Sequence, residues 1–146
     1  MKNWSEVNES GDLPAGIHAA SLEDVIGRFG TGNPQRLRVG WRLRHVHALA
    51  ASTGAVARFI IFGSFITDEP HPNDVDIFMI MQDSFDVSQV PAEVKVVFDH
   101  TVAQNSLGAS IFWIRRVAAT GGEDSVISHW QRKRDGTLRG IVEVLP

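Results

Sequence analysis

The chain has 146 residues, a formal charge of -3, 43% hydrophobic and 21% charged residues, the size and balance of one ordinary domain. It contains no cysteine, which excludes disulfides, thiolate zinc sites and thiol nucleophiles and fits a reducing, cytoplasmic setting. No run of about 18 apolar residues occurs, so no helix is expected to cross a membrane, and the mildly acidic total does not advertise a nucleic-acid binder.

Residues 1–20 are polar and carry Gly11, Pro14 and Gly16. They predict an irregular arm, without the apolar core of a signal peptide, ahead of a domain over 21–146. Ser21 then reads as a helix N-cap, with Asp24 three residues on and Leu22, Val25, Ile26 and Phe29 at helical spacing. Gly30 is a stop. A second helix is predicted from Pro34, capped by Asn33, to about Ser52. Val39, Leu43, Val46 and Ala50 form its apolar stripe, and Arg36, Arg38, Arg42 and Arg44 supply a positive remainder.

Ala55 to Phe62 is a strand candidate. Val75 to Met81 is another, apolar without alternation after Asp76, as expected of an interior strand covered on both faces. Short helices are predicted from Pro91 to Val97 and from Thr101 to Leu107, the latter closed by Gly108. Ser110 to Ile114 reads as a third strand and Glu123 to Gln131 as a modest helix. Asp135-Gly136 marks a tight turn before an extended Leu138 to Val144. The sum is an α/β (α+β) fold, a mixed sheet flanked by helices within one domain.

The chemistry concentrates between the two main strands. Ile60-Ile61-Phe62 runs into Gly63-Ser64, and after nine intervening residues Asp74-Val75-Asp76 opens the next strand. Two carboxylates at i and i+2 of a strand leave one face with Cα atoms about 6.6 Å apart. Their oxygens suit Mg²⁺, or Mn²⁺, which also takes water and phosphate oxygens. A Gly-Ser turn offers backbone N–H and hydroxyl to a phosphate, and a helix starting there would favour the anion. Taken singly, Asp74 and Asp76 also read as turn carboxylates, and Ser64 as a simple helix cap. Pro70 and Pro72 stiffen the intervening loop and leave His71 exposed.

In order, spacing and flanking hydrophobicity, Ile60 to Met81 resembles the nucleotidyltransferase superfamily. That core is shared by minimal nucleotidyltransferases, aminoglycoside adenylyltransferases and the polymerase beta type. Phe98-Asp99-His100, the Gly108-to-Trp113 stretch and Gly136 to Val144 resemble a bacterial group of small proteins with the same core. The resemblance implies a nucleotidyltransferase-like domain that moves a nucleoside monophosphate from a nucleoside triphosphate, ATP among them, to an acceptor hydroxyl. Asp74 and Asp76 would hold Mg²⁺ and carry catalysis, while Gly63 and Ser64 would seat the phosphates. The acceptor stays open between a protein, a nucleic-acid end and a small molecule.

Active members usually carry a third carboxylate on a neighbouring strand. By pattern it falls at Ser110, or at Ala109, and a serine supplies neither its charge nor its basicity. Asp99 or Glu93 would have to swing in instead. The alternative is a non-catalytic binding or regulatory protein of this fold, antitoxin-like in one version, since small relatives often pair with a helical toxin. Outside the motif, the arginines of the second helix read as a solvated face without an aromatic stacking platform, or as a patch for a triphosphate, RNA or an acidic protein. Trp41, Trp113 and Trp130 read as packing residues, and Asp99 as a helix cap or as half of an acid–base pair with His100.

Overall fold

Short polar side chains set the helix boundaries. The structure, a computed structural model, describes residues 2–146. Ser21 caps α1 (Leu22–Phe29): its hydroxyl accepts the Asp24 N–H at 3.0 Å, and the Asp24 carboxylate accepts the Ser21 N–H at 3.4 Å. This reciprocal pair satisfies two otherwise orphaned donors. Asn33 caps α2 (Pro34–Ala51) by accepting the Arg36 N–H at 2.9 Å, with Pro34 at the first helical position. Val39, Leu43, Val46 and Ala50 are fully buried along the expected stripe. Burying each larger side chain of that stripe stabilises the fold by about 1.5–3 kcal/mol.

Five strands form one mixed sheet in the order β1-β5-β2-β3-β4. They are β1 (Ile17–Ala20), β2 (Val56–Phe62), β3 (Val75–Met81), β4 (Ala109–Arg115) and β5 (Ile141–Val144). β2 runs antiparallel to both β3 and β5, whereas β3–β4 and β1–β5 are parallel pairs. The parallel β3–β4 step is crossed by α3 (Ala92–Lys95), a 3₁₀ turn, and α4 (His100–Leu107), as a parallel connection requires. Among the described residues no helix is long and apolar enough to cross a membrane.

Strand alternation assigns the two faces. Val75, Ile77, Met79 and Met81 join the larger core beneath α1 and α2. Phe78 and Ile80 join a smaller cluster with Ile127 of α5 (Glu123–His129) and Trp130. Interior β3 is therefore buried on both sides, as its unalternating sequence predicts.

Three expectations need correction. The last four residues of the supposed irregular arm form β1, an edge strand held by β5; only Ala20 of the four is buried, which leaves no apolar pattern to read. Arg36 is buried rather than solvated. Trp41 is not a packing residue: it projects from α2 with 71% of its surface exposed.

Candidate functional site

β2 ends at Phe62, and the chain turns at Gly63 with φ +81° and ψ −165°. Only glycine adopts that conformation without strain. Space imposes the same choice, because a Cβ on Gly63 would overlap the Asp76 carboxylate. The two halves of the signature thus meet, with Gly63 lying against Asp76. Ser64, half-buried, begins a single 3₁₀ turn, Ser64–Ile66, closed by the Thr67 N–H to the Ser64 carbonyl. No helix longer than this turn starts here, so the condition for a helix dipole to aid an anion is not met; Phe65, Ile66 and Thr67 dive into the core instead.

The loop between the motifs is tied to α2 through its own carbonyls. Arg36 donates to the carbonyls of Phe29, Phe65, Thr67 and Glu69. Asn33 donates to the Pro70 carbonyl at 2.8 Å, Gln35 to Pro72 at 2.7 Å, and Arg42 to Asn73 at 3.1 Å. A buried guanidinium bonded to four carbonyls spends four of its five N–H donors on the backbone. One helix face fixes the path from Gly63 to Asp74. Pro70 and His71 lie at the surface of this loop, while Pro72 is buried.

Asp76 pairs with Phe62 on β2 and with Ser110 on β4. Side chains in register share a face, so Ser110 stands beside Asp76 where a third carboxylate would have to project. Neighbouring Ala109 points into the opposite core. Burial is the main reason that the Asp76 carboxyl is pushed up to about 7; Asp74 adds to the rise and Arg139 opposes it.

Asp74 sits on the bend just before β3 rather than within it, so strand alternation does not govern its direction. It lines a polar cleft of about 550 Å³ with Arg42 and His45 of α2 and Gln104 and Asn105 of α4. Burial raises its pKa as well, against the pull of Arg42. No hydrogen bond contributes to either aspartate's titration. A second hollow, about 530 Å³, lies along Val87, Phe98 and Val102 and contains none of these residues.

Two electrostatically coupled, partly desolvated carboxylates without protein donors among the described residues are a donor set that a cation relieves. They fit one hard divalent ion completed by water or phosphate oxygens. Among the described residues no third His, Cys, Asp or Glu joins them in a metal-holding group. Asp99 is occupied elsewhere, capping α4 by accepting the Val102 N–H at 3.1 Å, and Glu93 is exposed on α3.

Sequence reasoning missed Arg139, which nothing in its local sequence connects to Asp76. It grouped Arg42 with the helix surface rather than with Asp74. Arg44 does pair outward, with Glu23. Trp113 and Trp130 pack as expected: the former donates to the Phe98 carbonyl at 3.0 Å, and the latter contacts Phe62, Phe78 and Phe112.

The chain belongs to the Family of unknown function (DUF6932), whose profile matches residues 5–145. No curated protein and no solved structure matches it.

Proposed function

We propose that the site binds a nucleoside triphosphate together with one Mg²⁺ ion, as a nucleotidyltransferase-like protein would. The observation that carries this reading is the contact of Gly63 with the Asp76 carboxylate, beside a second carboxylate that likewise lacks a protein donor among the described residues. Asp74 and Asp76 would hold the ion, which supplies neutralisation of phosphate charge. Gly63, having no Cβ, lets the Asp76 carboxylate lie against the turn, and the Ser64 hydroxyl can donate to a phosphate oxygen. Arg42 and Arg139 offset part of the negative charge at Asp74 and Asp76.

The reaction such a site supports is transfer of a nucleoside monophosphate. An acceptor hydroxyl oxygen bonds to the α-phosphorus, the bond to the β-phosphate oxygen breaks, pyrophosphate departs with that electron pair, and the hydroxyl proton passes to water. Incubation with α-labelled nucleoside triphosphates, Mg²⁺ and cell extract tests it. Label should reach an acceptor with the native protein and not with Asp74→Ala; equal labelling in both refutes transfer at this site.

The register of Asp76 with Ser110 favours a second reading, in which the nucleotide is bound without transfer and the protein acts as a binding or regulatory partner, antitoxin-like in one form. A serine leaves the site without a third anionic ligand or built-in base. Calorimetric binding of Mg²⁺–nucleotide, with no labelled product from any extract, supports this reading. A stable complex with a helical protein partner would support its antitoxin form.

A further inference from the structure

The outward face of α2 carries an aromatic ring that the core does not use. Leu37, Trp41 and His45 follow at intervals of four, which aligns them in one row along the helix. Arg38 and Arg42 form the adjacent row, one turn apart. Arg42 and His45 line the polar cleft, so the cationic row lies between the exposed Trp41 ring and Asp74. Arg38 bonds only to the neutral Gln35 side chain, and Arg42 uses one N–H on the Asn73 carbonyl. Neither has a carboxylate pair among the described residues, unlike Arg44 and Arg58.

The cleft lining has a matching character. Gln104 and Asn105 present side-chain amides, and Asp74 is the sole acid among the lining residues. Amides can both donate to and accept from the edge of a base, whereas an apolar floor could not. Exposed apolar surface on this row is confined to Leu37 and Trp41, which is little for the apolar centre of a protein interface. A stacking ring, two guanidinium groups outside any carboxylate ion pair among the described residues and a groove with two amides in its lining together complement a flexible polyanion with flat rings.

We infer that Trp41, Arg38, Arg42 and His45 form a binding surface for single-stranded nucleic acid, leading along α2 into the Asp74 cleft. A base stacks on the indole of Trp41, the arginines meet successive phosphates, and the strand end enters between α2 and α4. The role of that end as acceptor rests on the function proposed above; the binding itself does not, since it needs neither Mg²⁺ nor nucleotide.

The test is fluorescence anisotropy of a labelled twelve-nucleotide oligouridylate against the native protein in EDTA, with tryptophan emission followed in parallel. Saturable binding that weakens with salt is expected, with quenching of the indole signal. Trp41→Ala should weaken binding about 5- to 100-fold and abolish most of the quench. Arg38→Gln should reduce the salt slope by roughly 0.7 while leaving the quench. Circular dichroism checks both folds, and both positions are exposed. Absence of binding at low salt, or an unchanged affinity in Trp41→Ala, overturns the inference, as does a Trp41-dependent complex with an acidic protein but not with the oligonucleotide. Calorimetry of Mg²⁺–nucleoside triphosphate with native protein and Asp76→Asn keeps the two ideas apart. Oligonucleotide binding without nucleotide binding would sink the proposed function and preserve this surface.

Discussion

Replacing Asp76 with asparagine keeps the shape of the side chain and removes its charge, so it isolates what holding that carboxylate under Gly63 costs the fold. The carboxyl sits near 7 in the folded chain against an ordinary value of 3.8. That difference of roughly three pH units corresponds to about 4 kcal/mol, and solvent screening on its open side lowers the expectation to about 2 kcal/mol. A raised acid pKa means that the folded chain holds the proton more tightly than the unfolded one. Its contribution to stability is therefore greatest below 3.8, is lost as pH rises towards 7, and changes little above. Urea denaturation of both proteins at pH 4, 6 and 8 reads this directly. The two should be nearly equally stable at pH 4, with Asp76→Asn gaining the advantage as pH increases. Added Mg²⁺ should narrow the gap at pH 8 by stabilising only the native protein. A native protein as stable as the variant at pH 8 in EDTA would refute the claim that Asp76 is a desolvated charge that Arg139 relieves only in part.

Gly63→Ala introduces both a left-handed backbone penalty and an overlap with Asp76, so a loss of about 1–3 kcal/mol is expected in denaturant midpoints. No loss would show that the turn can relax away from β3. Arg36→Ala leaves four carbonyls without their shared donor. About 3 kcal/mol or more should disappear, with faster proteolytic cleavage in the 65–73 loop, and Arg36→Lys should recover only part of it. Ser110→Asp adds a carboxylate in register with Asp76. Calorimetry should show tighter Mg²⁺ or Mn²⁺ binding than in the native protein; unchanged affinity would mean that position 110 does not face the ion.

Much of the architecture was legible because local chemistry and tertiary packing agree. The caps at Ser21, Asn33 and Asp99, the stripe from Val39 to Ala50 and the unbroken apolar run of β3 each require one structure locally and receive it globally. β1 was hidden because an edge strand of four residues with a single buried side chain has no apolar period to display.

The amino-acid sequence by itself determined which residue types the site contains: a glycine turn, a serine and two aspartates at a fixed separation, with a serine where a third acid is expected. Only the tertiary structure decided how they act together. Strand register set Ser110 beside Asp76, and the close approach of β2's end to β3 put Gly63 against that same carboxylate. Helix periodicity could say that the arginines of α2 recur, but not which neighbour each would meet. Arg36 turned inward to four carbonyls, Arg44 outward to Glu23, and Arg42 to the Asp74 cleft. The reason is physical: local patterns arise from contacts within a few residues, whereas burial and charge pairing depend on groups brought together from elements far apart in the chain.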